Sequence, residues 1–374
     1  MPLSHDEEIR YSRHLILPGV GLAGQERLRT ARVLIVGVGG LGSPVALYLA
    51  AAGVGHLGLM DADTVDLTNL QRQIIYRSAD AGHAKAAAAA AAVRALNPHV
   101  DVTAYPVRCT AANAGDLLPA YDVVVDGTDN FPTRYLLNDA CVLLGKPLVF
   151  GSIYRFEGQV SVFDARRGPC YRCLFPTPPE TIPSCAEGGV LGVLPGLVGT
   201  LQATEVLKLL LGIGEPLIGR VLRIAALDGC LREFRLPRDP ACPVCGDAPT
   251  ITTLDDPALA CAWSRGGTDE WELPADAVAA RQAANPPTFI DVREAEECDR
   301  MAGLPGALHL PYPSFARRMA ELDSAHDLVV YCSTGVRSWV AVGMLRRAGF
   351  TRAWSLHGGL AAWQALRLAP PGGG

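Results

Sequence analysis

The sequence predicts an α/β protein: a large doubly wound domain carrying a cysteine knuckle, followed by a smaller α/β domain. Three observations predict it. Apolar runs such as "VLIV", "LGLMD" and "YDVVVD" alternate with helical stretches, as in a parallel sheet covered on both faces. A glycine turn, "GVGGLG", joins the first run to a helical stretch. After about Leu236 the texture changes to "PRDPACPVCGDAPTITTLDDPALACAWSRGGTDE", rich in Pro, Asp, Thr and Gly, before a second strand-and-helix series begins. The expected boundaries are a first domain over 1–249, a linker over 250–270 and a second domain over 271–370.

Within the first domain, "ARVLIVGVGGLGSPVALYLAAAGVGHLGLMDAD" reads as strand, turn, helix, strand. "HAKAAAAAAAVRALNPHV" predicts a helix because alanine is the best helix former, and Pro98 follows its end. "VTAYPV", "YDVVVDGTDN" and "KPLVFGSI" predict further strands. In the second domain, "PADAVAARQ", "FARRMAELD" and "SWVAVGMLRRAG" predict helices. They alternate with strands "TFIDV", "GALHLP", "DLVVY" and "AWSL".

The net charge of −5 and a pI near 5.9 argue against nucleic acid or an anionic membrane as partner. The polar, acidic start "MPLSHDEEIRYSRH" has no signal-peptide pattern, so a cytoplasmic protein is expected. Val33–Gly55 and Gly188–Thr204 are uncharged but laced with glycine, which suits buried core pieces better than membrane spans.

Gly37, Gly39 and Gly42 satisfy G-x-G-x-x-G, and Asp61 follows Gly42 by 19 positions at the end of the next strand. That is a dinucleotide fingerprint in its context: the helix N-terminus holds phosphate and the acid takes ribose hydroxyls. Taken alone it describes a nicotinamide dehydrogenase. Three features point elsewhere. The turn doubles a glycine at Gly39-Gly40. The loop "DADTVDLTNLQRQ" brings Asn69, Arg72 and Gln73 beside the ribose acid, and Lys85 follows. A triphosphate needs such cations as pyrophosphate leaves, whereas hydride transfer does not. Finally, "VDGTDN" ends a strand with Asp126, Asp129 and Asn130, where a carboxylate can hold Mg²⁺.

The stretches "RYSRHLILPGVGLAGQERL", "GVGGLGSPVALYLAAAGVG", "DLTNLQRQ", "VDGTDN" and "SCAEGGVLGVLPGLVGTLQATEVLKLL" resemble, in order, the MoeB/ThiF-type adenylyltransferases, relatives of the ubiquitin-activating enzymes. The resemblance covers about the first two-thirds of the chain. It implies that Mg-ATP adenylates the terminal carboxylate of a ubiquitin-like sulfur-carrier protein ending in Gly-Gly. It places Gly40, Asp61, Asn69, Arg72, Lys85, Asp129 and Asn130 in the ATP site, flanked by Gly37, Gly39, Gly42, Thr68, Leu70 and Gln71. Asp61 is expected on the ribose, Arg72 and Lys85 on the phosphates, and Asp129 on the metal. Arg13, in "RYSR", matches an arginine that reaches the neighbouring subunit's ATP, which implies a homodimer.

"CYRC" and "CPVCG" supply Cys170, Cys173, Cys242 and Cys245, two C-x-x-C pairs that read as a closed, structural Zn²⁺ site. Cys185, in "TIPSCAEGGVLG", stands where the family places a cysteine for thioester or disulfide chemistry; packing is the competing reading. Cys109, Cys141, Cys230, Cys261 and Cys298 read as packing cysteines.

"YCSTGVRS" follows the strand "DLVVY". Four residues separate Cys332 from Arg337, a loop whose backbone amides can curl around the sulfur with a helix N-terminus behind it. It is shorter than a protein-tyrosine-type phosphatase loop and suits a single sulfur atom. With "FIDVREAEE" and "LPGALHLPY" it resembles a rhodanese domain, in which Cys332 carries a persulfide and Arg337 adds charge and closes the loop. The usual "GHIPGA" reads "AGLPGA" here, without the histidine.

The whole chain thus resembles a MoeZ-type adenylyltransferase/sulfurtransferase. The resemblance implies an acyl-adenylate on the carrier, then sulfur transfer from Cys332 to give a thiocarboxylate, directed first to molybdopterin synthesis. Thiamine, cysteine and tRNA thiolation are other outlets. A cysteine desulfurase or thiosulfate is the expected sulfur donor. The alternative is a ubiquitin-like modifier activator working in conjugation or tRNA thiolation through a Cys185 thioester.

Overall fold

The computed structural model describes residues 3–176, 189–254, 271–284, 286–333 and 335–368. The chain divides into two compact units, Met1–Trp263 and Ser264–Gly374.

The first unit opens with helices α1 (His5–Arg10), α2 (Ser12–Leu15) and α3 (Gly21–Thr30). Strands β1 (Arg32–Val36), β2 (His56–Met60), β3 (Asp101–Tyr105), β4 (Val123–Asp126) and β5 (Leu148–Tyr154) alternate with α4 (Gly42–Ala52), α5 (Lys85–Leu96), α6 (Ala111–Leu117) and α7 (Phe131–Leu143). Next come β6 (Glu157–Phe163), α8 (Tyr171–Leu174), α9 (Leu194–Leu211), β7 (Arg220–Ala225) and β8 (Cys230–Arg235). The sheet order is β3-β2-β1-β4-β5-β6-β7-β8, parallel from β3 to β5 and antiparallel beyond.

Alternation along β1 shows why this sheet needs two layers of helix. Val33 and Ile35 join one core with residues of α4, α5 and α9. Leu34 and Val36 join the opposite core with residues of α6, α7 and α8. All four are 3% exposed or less, so neither face meets water. The doubly wound class expected from the apolar runs is the one observed. The order reverses between β1 and β4, and ligands of open α/β sheets bind at that switch point.

Helix α9 has the length and hydropathy of a membrane span, but half of it is buried, packed against α4, β5 and β6. Buried Gln202 donates from its amide to the Asp126 carbonyl at 2.8 Å, tying α9 to the end of β4.

The second unit has β9 (Glu272–Leu273), α10 (Ala275–Ala284), β10 (Thr288–Asp291), α11 (Ala295–Arg300), β11 (Leu308–His309), α12 (Tyr312–Arg318), β12 (Leu328–Tyr331), α13 (Val336–Arg347), β13 (Ala353–Leu356) and α14 (Gly359–Leu368). Its five strands are all parallel, in the order β11-β10-β12-β13-β9. Val330 and Cys332 face a core shared with α12 and α13, while Val329 and Tyr331 face one shared with α10 and α14. Cys332 therefore sits at the C-terminal end of the central strand, where such sheets hold their ligands. The strand expected from "GALHLP" shrinks to Leu308–His309, because β11 is an edge with only β10 to pair with.

Candidate functional site

The glycine turn of the first unit lies where three other segments converge. Gly37 has φ +85°, and a Cβ there would stand 2.7 Å from the Gly127 carbonyl, so only glycine lets the two loops touch. A Cβ on Gly39 would lie 3.5 Å from the Gln73 amide nitrogen, and one on Gly40 would lie 3.7 Å from Arg72 Cγ and 3.2 Å from Pro195. The turn after β1, the loop after β4, the Asn69–Gln73 loop and the start of α9 therefore meet at one place. Gly42 begins α4, which directs that helix's free amides at the turn.

Asp61 ends β2. Its carboxylate accepts from the Val38 amide at 2.9 Å and the Asp63 amide at 2.9 Å, one bond to each oxygen. Each oxygen keeps a second lone pair for a hydroxyl. Burial raises the Asp61 pKa, partly offset by the Asp63 amide, Lys85 and the Val38 amide. Lys85, the first residue of α5, is buried and donates to Asp63 at 3.2 Å. Tyr76 reaches both the Val38 carbonyl at 2.7 Å and the Lys85 carbonyl at 3.3 Å, which links lysine and glycine turn.

Residues Leu67–Asn69 form a 3₁₀ turn. Asp66 caps it, accepting from the Thr68 amide at 2.8 Å and the Thr68 hydroxyl at 2.6 Å. The Asn69 side-chain oxygen accepts in turn from the Asp66 amide at 3.4 Å. This turn aims Arg72, whose guanidinium donates to the Thr68 carbonyl at 3.0 Å. Leu70 packs on the core, and Gln71 presents its carbonyl to the close approach of Gly192. Gln73 is buried with its side-chain oxygen unpaired among the described residues, an acceptor that carried no assigned role in the sequence.

After β4, the two carboxylates separate. Asp126 is fully buried and bound by Arg134 at 3.0 Å and by the Thr128 amide and hydroxyl. Breaking a buried pair of this kind costs about 3–5 kcal/mol, so Asp126 is structural. Asp129, three residues on, is exposed, and Asn130 caps α7 by accepting from the Thr133 amide at 3.0 Å. Of these two carboxylates, only Asp129 can offer its oxygens to Mg²⁺ in solvent. Arg13 is exposed on α2 and joins none of these groups within the chain. Cys185 lies outside the described residues.

The four knuckle cysteines come together. Cys170 Sγ is 4.0 Å from Cys173 and 3.6 Å from Cys242, and Cys173 is 3.4 Å from Cys245. All four sulfurs lie within 4.8 Å of one another. Ligands ~2.3 Å from a tetrahedral zinc stand about 3.8 Å apart, so the cluster has the size of a Cys₄ zinc site. Cys173 also accepts from the Asp239 amide at 3.4 Å, and its pKa is lowered to about 5, first through its bond from Cys170. Burial pushes Cys245 up to about 12. Four thiols so close cannot all ionise without a cation among them.

In the second unit, Cys332 is fully buried. The Gly335 amide donates to its sulfur at 3.1 Å and the Ser338 hydroxyl lies 3.8 Å away. Gly335 has φ +93°, which turns its N–H inward toward the sulfur. Arg337 does not present a free charge to this sulfur. Its two terminal nitrogens donate to Glu297 of α11 at 2.6 and 2.7 Å, and the Ser333 hydroxyl donates to the same carboxylate at 2.9 Å. Bonding from Arg337, ahead of all other causes, holds the Glu297 pKa down to about 2. Glu297 sits six positions after Asp291 in "DVREAEE" and shares no sequence neighbourhood with Arg337, so nothing local announced the pair. Asp291 and Arg293 form a separate buried ion pair at 2.6 Å. Cys298, read as packing, is half-buried with its sulfur 3.5 Å from His309.

A model of the ThiF family matches residues 11–244. The chain belongs to the ThiF family. A rhodanese-like domain matches residues 274–366, so a ThiF-family unit is followed by a rhodanese unit. Among curated relatives, the sulfur carrier protein adenylyltransferase of Thermus thermophilus is 56% identical, over 68% of this chain and 97% of that one. The probable adenylyltransferase/sulfurtransferase MoeZ of Mycobacterium tuberculosis is 45% identical, over 98% of this chain and 95% of its own. The pig (Sus scrofa) adenylyltransferase and sulfurtransferase MOCS3 is 49% identical, over 85% and 72%. A crystal structure of Escherichia coli MccB with ATP matches with a TM-score of 0.55 at 23% identity, over 65% of this chain and 75% of that one. That last likeness concerns the ThiF-family fold alone.

Proposed function

We propose that this ThiF-family enzyme adenylates the C-terminal Gly-Gly carboxylate of a ubiquitin-like sulfur-carrier protein with Mg-ATP, then replaces the AMP with sulfur carried on Cys332. The observation that carries the reading is the convergence of Arg72, Gln73, the Gly127–Thr128 loop and Pro195 on one glycine turn. A hydride-transfer site has no use for the cations, while a departing pyrophosphate does. The names of the MoeZ and MOCS3 relatives, which pair adenylyl and sulfur transfer, support the same reading.

A carboxylate is a poor electrophile, and adenylation gives it AMP as leaving group. Asp61 holds ribose hydroxyls through its two remaining lone pairs. The amides at the start of α4, with Arg72 and Lys85, hold the phosphates. Asp129 is the residue suited to Mg²⁺, which when bound neutralises phosphate charge. Arg13 serves the site of a second subunit, in a homodimer. At Cys332 the Gly335 amide stabilises negative charge on sulfur. The thiocarboxylate serves molybdenum cofactor synthesis, and the enzyme acts in the cytoplasm.

The test uses ATP with a recombinant ubiquitin-like carrier ending in Gly-Gly. Carrier-dependent pyrophosphate release is expected, followed, once a sulfur donor is added, by a carrier mass in which sulfur replaces one oxygen. Absence of carrier-dependent release would remove the first half of the proposal.

The four-cysteine cluster is proposed to bind Zn²⁺ structurally, since four thiolates leave no open position. Cys242→Ser is then expected to lose most of the bound zinc in elemental analysis. Thermal unfolding of the first unit should move down by roughly 10 °C or more. An unchanged transition in metal-free protein would show that the cluster needs no metal.

A further inference from the structure

The loop that carries Cys332 differs from a general anion cradle in one respect. Its arginine is already occupied. Glu297 accepts from Arg337 at 2.6 and 2.7 Å and from Ser333 at 2.9 Å, so one carboxylate grips the loop on both sides of residue 334. The Arg337 side chain is 6% exposed, against 31% for Glu297. A paired, bidentate guanidinium at such burial contributes no net charge to the loop, and both of its terminal nitrogens are engaged by the carboxylate. Glu297 belongs to α11, outside the loop, and its pKa of about 2 keeps it ionised through the whole neutral range. Among the described residues, what the loop still offers the sulfur is neutral: the Gly335 amide at 3.1 Å and the Ser338 hydroxyl.

This arrangement bears on the sulfur donor. Loading from an alkyl persulfide requires the Cys332 thiolate to attack the terminal sulfur of R–S–SH. The S–S bond breaks, Cys332–S–SH forms and R–S⁻ leaves. Loading from thiosulfate breaks the S–SO₃ bond instead and expels the sulfite dianion. The second route places two negative charges beside the thiolate and needs an uncompensated cation; the first does not. We propose that Glu297 is a positioning and specificity-determining residue for Cys332: by cancelling Arg337 and holding Ser333, it directs the loop to alkyl persulfide donors and against the thiosulfate dianion. The proposal rests on the reading of Cys332 as the sulfur carrier.

The experiment compares full-length wild type, Glu297→Gln and Arg337→Gln. Each is offered glutathione persulfide or sodium thiosulfate, and sulfur on Cys332 is read by intact mass against time. Wild type is expected to load from the persulfide and poorly from thiosulfate. Glu297→Gln keeps shape and an acceptor for Ser333 but frees the Arg337 charge. The thiosulfate-to-persulfide rate ratio should rise by roughly tenfold or more, as one unit charge near an ionic reaction centre implies. Arg337→Gln leaves Glu297 uncompensated, and the ratio should fall below wild type. Opposite signs are not produced by a damaged loop, which slows both donors together. In Glu297→Gln alone, sodium sulfate should also protect Cys332 from iodoacetamide. An unchanged ratio in Glu297→Gln, or a change of the same sign in both variants, overturns the assignment. If wild-type Cys332 reacts with iodoacetamide yet loads from neither donor, the sulfur-carrier reading fails instead, and this assignment with it.

Discussion

Cys332→Ala is expected to stop thiocarboxylate formation while ATP- and carrier-dependent pyrophosphate release continues. The two results separate because the residues proposed for the two chemistries lie in different units, each with its own sheet and cores. Cys332 is the thiol at the end of the central strand β12, with the Gly335 amide directed at its sulfur. Alanine keeps the strand and the loop but removes the atom proposed to accept and deliver sulfur. Loss of a covalent nucleophile lowers turnover by roughly three orders of magnitude or more. The measurement is the carrier's intact mass after incubation with ATP and a persulfide donor, beside a pyrophosphate assay on the same sample. A thiocarboxylate yield equal to wild type would transfer the role to another cysteine.

Lys85→Ala should show the converse: pyrophosphate release falls by about a hundred- to a thousandfold in kcat, the usual cost of removing one preorganised charge stabiliser. Sulfur loading on Cys332 should persist. Lys85 is suited to this effect because it is buried at the first turn of α5 and held in place by Asp63 and, through Tyr76, by the glycine turn. Its charge need not be reoriented when phosphates arrive. Folding should survive, since its partner Asp63 is mostly exposed and can be rehydrated. Asp61→Ala should differ in kind, raising the KM for ATP more than it lowers kcat, because ribose contacts are the same in ground and transition states. If Lys85→Ala turns over like wild type at saturating Mg-ATP, Lys85 is not a phosphate ligand.

Much of this was legible along the chain. The glycine turn, the strand-end position of Asp61 and the pairs Cys170–Cys173 and Cys242–Cys245 could be read because each depends on local spacing: a strand end before a helix, a two-residue step between thiols; the role proposed for Lys85 came from the family resemblance. Three things were not. The residues of "VDGTDN" alone do not separate Asp126 from Asp129, although the family resemblance placed the metal on Asp129; the position of Arg134 eight residues later, on α7, accounts for one acid being buried and paired. The buried acceptor of Gln73 has no sequence signature, since an unpaired oxygen is a property of surroundings. Arg337 read as a free charge closing an anion loop, yet it is paired, because α11 brings Glu297 against it from forty positions away.

The sequence by itself determined the two-part α/β architecture, the kind of loop after each leading strand and the identity of the thiols, because strand periodicity, glycine turns and cysteine spacing are short-range. Tertiary structure alone decided which charges remain available for chemistry. Whether Asp126, Asp129, Lys85 or Arg337 is free or neutralised depends on partners supplied by other elements of the fold. In a buried setting the nearest opposite charge outweighs any preference written in the neighbouring residues.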